Sequence, residues 1–217
     1  IEVLKGASTL LYGSGAIGGV VDVHSGRIPH RAPEKAVTGR AEIRYRDNAD
    51  KTSSALRLDG GADAFAWHVD GFHREANDYR VPGSAESVAQ LASEGEVLEV
   101  FSDSRVLGSR YEQQGGAVGA SWLLDRGFMG MAVSRREAEY GLPGHAHEDE
   151  APPVLDQEQW RYDIEAGYQP EADAIENINL RGAYNNYQHV ELEEGEVGTQ
   201  FAVSYTHLRA HETREYL

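Results

Sequence analysis

The sequence predicts an all-β chain: an open, curved antiparallel sheet of about seven strands that forms part of a transmembrane β-barrel. Three observations predict it. From Thr38 onward, apolar and polar residues alternate with period two in window after window, and no amphipathic helix period competes. Charged residues recur on the face that this alternation turns inward, which suits a wet lumen and not a dry core. The connections alternate between short and long, as in transmembrane barrels with tight turns at one rim and long loops at the other. A soluble β-sandwich is the other architecture open to the same alternation.

The first strand sets Ala41, Ile43 and Tyr45 against Arg40, Glu42, Arg44 and Arg46, and Asp47-Asn48-Ala49-Asp50 turns it. The second sets Leu56 and Leu58 against Arg57 and Asp59, and the chain turns again over Gly60–Asp63. Phe65, Trp67 and Val69 open the third against His68 and Asp70. A polar excursion from Asp78 to Gly108 follows. Ala117–Leu124 and Phe128–Ser134 then form a hairpin across Asp125-Arg126-Gly127. A second long connection covers Gly144–Gln157. The sixth strand is the clearest, with Trp160, Tyr162, Ile164, Ala166 and Tyr168 on one face and Arg161, Asp163 and Glu165 on the other. After a short break at Pro170–Asp173, the seventh sets Ile178, Leu180 and Tyr184 against Asn177, Asn179 and Arg181. The short Asp47–Lys51 connection is the exception on the long-loop side.

Composition narrows the function classes. The chain has 217 residues, with 20 Lys+Arg against 36 Asp+Glu, a net charge of −16. That balance argues against nucleic acid, whose phosphates need clustered cations. With no Cys, a disulfide framework, a thiolate zinc site and a Cys nucleophile are excluded. Glycine is high, 24 of 217 residues. No 18-residue apolar run exists to form a transmembrane helix, which leaves barrel strands untouched. The chain opens on Ile1 with no signal peptide before it, and it reads as a piece of something longer.

The two ends differ from the middle. Gly13-Ser14-Gly15-Ala16-Ile17-Gly18 formally matches the dinucleotide fingerprint, but that loop must open a helix. Gly19-Val20-Val21-Asp22-Val23 follows instead, a β-branched run that predicts a strand. At the other end, Val203–Leu217 resembles the translated read-through of a transposon-type sequencing adapter. It is set aside as an artefact, together with His207 and His211.

Residues Ile1-Glu2-Val3-Leu4-Lys5-Gly6, with Leu11-Tyr12-Gly13 and Ala16-Ile17-Gly18-Gly19 after them, resemble the end of the plug domain of TonB-dependent outer-membrane receptors. Ala7 stands where members usually carry Pro, and Asp22 where they carry Asn. The resemblance implies residues 1–26 as the end of a plug, 27–37 as a linker and 38–202 as the first part of a 22-stranded barrel, with 203–217 left as the adapter artefact. It also implies placement in the outer membrane of a Gram-negative bacterium, with membrane lipid and the TonB energy-transducing complex as partners. A narrower resemblance joins Tyr140-Gly141-Leu142-Pro143-Gly144-His145-Ala146-His147-Glu148 with Gln188–Glu193 and Gly195–Thr199. These are similar to the zinc-uptake branch of the family, whose loop at this point is longer, rich in His and acids, and often carries Cys. The implied substrate is zinc or a similar divalent metal, taken up by energised transport. A siderophore or haem receptor is the alternative within the family, and a soluble or surface β-sandwich binding domain the alternative outside it.

His145, His147, Glu148 and Asp149 form the dense ligand cluster, and imidazole nitrogen with carboxylate oxygen suits Zn²⁺. The bland reading is a solvated acidic loop. His189 is a weaker ligand candidate near the outer rim, while His68 and His73 read as hydrogen-bonded strand residues. Asp78 and Glu94–Glu99 are further carboxylates in the long loops. No nucleophile, base and orienting group can be placed together, and Ser14 lacks the Gly-x-Ser-x-Gly elbow, so an enzyme is not expected. No bound cofactor is expected beyond Zn²⁺ as cargo.

Overall fold

A computed structural model describes residues 2–6, 17–23, 25–83, 85, 104–143, 151–171, 175–193 and 195–213. Two short strands, β1 (Glu2–Lys5) and β2 (Gly19–Asp22), pair antiparallel as a separate ribbon. The β-branched run after the glycine fingerprint is therefore a strand, as its composition requires.

Eight strands form the main sheet: β3 (Val37–Arg46), β4 (Lys51–Ala62), β5 (Phe65–Ala76), β6 (Tyr111–Leu124), β7 (Gly127–Gly141), β8 (Val154–Tyr168), β9 (Asn177–Glu193) and β10 (Glu196–Thr213). Each pairs antiparallel with its sequence neighbour, so the sheet is an up-and-down meander, open between β3 and β10. No α-helix occurs among the described residues; a single 3-10 turn, Asn48–Asp50, joins β3 to β4. The connections alternate in length only in part, since the β3–β4 turn and the two-residue β9–β10 turn at the long-loop end are short as well. Asp63-Ala64 and Asp125-Arg126 close one end tightly, whereas 77–110 and 142–153 are long at the other. At the β9–β10 turn Gly195 takes φ +83°, where a side chain would be strained.

Two sequence expectations are extended. The main sheet has eight strands, one more than the seven picked out from the alternation, because Glu196–Thr213 pairs along the whole of β9. Setting aside Val203–Leu217 concealed that strand; Val203–Thr213 pairs with Asn177–Tyr187 although its apolar residues change face between Tyr205 and Leu208. The strands are also longer than their alternation suggested. β6 begins at Tyr111 and not Ala117, and β7 runs past Ser134 to Gly141.

Pairing register puts each strand's residues on one of two faces. One face is apolar and open, with Ile43, Leu56, Trp122, Met131, Ile164 and Leu180 all exposed, Ile43 at 85%. Tyr162 lies directly opposite Tyr184, and Trp160 stacks at 6.4 Å from Tyr162, giving an aromatic row across β8 and β9. The other face carries Arg57, Asp59, His68, Asp70, Arg161, Asp163, Glu165 and Arg181, and residues 25–34 lie across it. What is buried beneath them is small: Ala66, Ala117, Ala132 and Ser121, with Ile28 reaching down from above. The sheet has no thick apolar core on this side. It is a wall with a strap over it.

Candidate functional site

The strap follows from where the sequence puts its charges and its glycines. Period two turns Arg57 and Asp59 of β4 and His68 and Asp70 of β5 to the same face, and register sets Asp59 opposite His68 and Arg57 opposite Asp70. His68 is 1% exposed. Its Nδ1 lies 2.7 Å from Asp59 Oδ1 and its Nε2 2.8 Å from Asp70 Oδ2. Each ring nitrogen thus faces a carboxylate oxygen at hydrogen-bond distance. Arg57 Nε donates to Asp59 at 2.7 Å. From the strap, Arg27 Nε donates to Asp70 Oδ2 at 3.0 Å, and its Nη2 reaches Oδ1 at 3.4 Å. The row Arg57, Asp59, His68, Asp70, Arg27 thus alternates basic and acidic side chains from end to end.

A second contact lies further along the strap. His30 Nε2 is 3.1 Å from Glu165 Oε2, and Arg181 Nε donates to the other oxygen of the same carboxylate at 2.8 Å. The His30 ring also stacks on Phe128 of β7, centroids 4.1 Å apart. Between the two contacts the wall is hollowed by glycine. A Cβ on Gly119 would run into the carbonyl oxygen of Arg27, and one on Gly130 would come within 2.6 Å of Ile28 Cγ2. The strap ends on β4, where Gly61 N donates to Ala36 O at 3.1 Å.

At the long-loop end, the stems of the two long connections touch. Gly108 packs so closely on Leu142 and Pro152 that a Cβ there would lie 2.8 Å from Pro152 Cβ and 3.0 Å from Leu142 O. Leu142 N donates to Pro153 O at 2.9 Å, which closes the stem of the 142–153 connection. Asp78 is used in the other stem, where Oδ1 accepts from Arg110 N at 2.9 Å.

The predicted ligands divide accordingly. His145, His147, Glu148 and Asp149 lie outside the described residues, as do Glu94–Glu99; the described stem puts their connection at the long-loop rim. His189 is on the strapped face of β9 near that rim. Its Nδ1 is 3.0 Å from Tyr187 Oη, and its ring stacks on Phe201 at 5.3 Å, an aromatic setting without a carboxylate contact. His73 meets Glu112 at 3.2 Å on the open face. Asp59 and Asp70 sit on opposite nitrogens of His68, so these three groups do not converge on one point. Among the described residues no group of three or more His, Asp or Glu is placed to hold a metal ion. Arg27 and His30 were not singled out from the sequence. Their signal was indirect: buried-face acids at Asp70 and Glu165 that required cations from elsewhere in the chain.

No family model matches the chain. Among solved structures it is similar to the copper transporter OprC, with 17% sequence identity and a TM-score of 0.61. The match covers 87% of this chain and 25% of that one, so the chain spans a quarter of the transporter's length. The fold of this chain, an open antiparallel meander of eight strands, is one that it shares with a barrel transporter.

Proposed function

We propose that the chain is part of an outer-membrane, TonB-dependent receptor that takes up a divalent metal, zinc or one like it, by energised transport. The observation that carries this reading is the distribution of polarity over the sheet. The apolar face with its aromatic row is open and fits lipid, while the charged face is covered by the chain's own strap and fits a filled lumen. A β-sandwich buries its apolar face and wets the polar one, the reverse arrangement. The fold shared with a copper transporter, and the resemblance of residues 1–23 to a plug end, support the same class.

In this reading TonB acts through the plug, lipid meets Trp160, Tyr162 and Ile164, and the work done is binding and transport, not catalysis. His145 and His147, with Glu148 or Asp149, collect the metal from a connection at the long-loop rim. Copper is the second reading, favoured by the cargo named for the structural neighbour and by the affinity of imidazole for Cu(II). The test is uptake of zinc and of copper, each at limiting concentration, by the full-length receptor and its His145→Ala/His147→Ala variant. A several-fold loss of zinc uptake alone supports the zinc reading, and a loss confined to copper replaces the metal. Unchanged uptake of both removes the loop from the mechanism. Because imidazole ligates only when neutral, capture weakens as pH falls below about 6.5.

A further inference from the structure

We infer that residues 27–34 are a fixed strap, held on the sheet wall by two independent polar anchors, and that Gly26 is the pivot at which any movement of the preceding residues stops. The inference rests on the wall being a barrel wall and not on which metal is carried.

Four features of the geometry point to it. The first anchor, Arg27 on Asp70, ends a row of hydrogen-bonded basic and acidic side chains whose central residue, His68, is fully buried. A fully buried ring with a carboxylate on each nitrogen and an arginine on each carboxylate leaves these groups few other partners, so the row has one stable arrangement. The second anchor, His30 on Glu165, lies on a different strand and shares no residue with the first. Between them the backbone and Ile28 occupy space that exists only because positions 119 and 130 are glycine. A loosely tethered linker needs no such hollow, whereas a strap seated in one position does. Finally, Gly26 takes φ +69°, in the left-handed region open to glycine, one residue before the first anchor. A Cβ there would also press on Arg57 Nη2 at 3.2 Å. The freest backbone therefore lies at Gly26, held lightly on one side, where Ser25 O accepts from Arg57 Nη1 at 3.4 Å, and fastened on the other by the Arg27–Asp70 pair.

The test uses the full-length receptor in lipid, with a nitroxide label placed singly on Ala32 in the strap or Val23 before the pivot, both exposed. The label on residue 32 is expected to be strongly immobilised. Either Asp70→Asn or Glu165→Gln alone leaves most of that immobilisation, and the two together raise the mobile fraction several-fold. Full release by one substitution overturns the two-anchor claim, and a double variant indistinguishable from the unmodified receptor overturns the anchors altogether. A second measurement needs no variant in the anchors. The distance from a label on residue 32 to one on Tyr168, at the short-turn end of β8, is expected to give one narrow distribution, and a broad one overturns the fixed strap. In rising urea the label on residue 23 is expected to gain mobility before the label on residue 32. Simultaneous release would overturn the pivot. If uptake assays fail to identify the metal while these spectra hold, the strap stands and only the cargo assignment is lost.

Discussion

The two faces of β8 are built from one alternating run, yet they are stabilised in different ways. On one face Trp160, Tyr162, Ile164 and Tyr168 stand exposed and touch mainly one another and their cross-strand neighbours. On the other, Arg161 grips Asp163 with three hydrogen bonds of 2.8 to 3.0 Å, and Glu165 is shared between His30 and Arg181. Half-exposed ion pairs of this kind contribute only about 0–1 kcal/mol each. Their value here is positional: the Glu165–His30 contact fixes where the strap sits. The apolar face, by contrast, gains little until something apolar covers it. A strand with one specified face and one unsatisfied face is a strand made for a boundary.

The contrast can be broken most severely by removing that boundary. The isolated chain, with β3 and β10 paired on one side only and an open apolar face, is expected to aggregate in detergent-free buffer. A monodisperse monomer with a cooperative melt, seen by light scattering and calorimetry, would favour a soluble sandwich. In the full-length receptor refolded into bilayers, Ile164→Arg is expected to cost about 2–4 kcal/mol, as a mid-membrane cation on the lipid face does. Gly119→Val, which drives a side chain into the strap backbone, is expected to cost about 1–3 kcal/mol as overpacking does. Asp163→Arg, on the wet face of the same strand as Ile164, is expected to cost no more than about 1 kcal/mol. Urea titration of each variant gives the order, and equal losses at residues 163 and 164 would erase the distinction between the faces.

The fold was legible where one face meets an apolar phase and obscure where neither does. Trp160–Tyr168 announces itself because every second residue is apolar. The upper part of β6 and β7 does not, since Glu112 and Gln114 share the open face with Val118 and Trp122, and Glu137 and Glu139 share it with Met131. Beyond the apolar band the open face is polar as well, so period two vanishes although the strand continues. The ligand cluster at His145–Asp149 was read from composition alone, and its connection is known here only by its stem. The strap was missed for another reason. Residues 27–37 have no periodicity, and their partners lie on strands distant in the chain: Asp70 is 43 residues from Arg27. Alternation shows that a face is charged. It does not show what crosses that face.

Accessibility scanning of β8 tests the two-faced wall most directly. Nitroxide labels placed one at a time from Trp160 to Tyr168, in the full-length receptor in lipid bilayers, are read with oxygen as the apolar relaxant and a water-soluble nickel chelate as the polar one. The account predicts strict alternation, with residues 160, 162, 164, 166 and 168 open to oxygen and 161, 163, 165 and 167 shielded from it. Uniform accessibility along the strand, or chelate contact at Ile164 equal to that at Asp163, would contradict it.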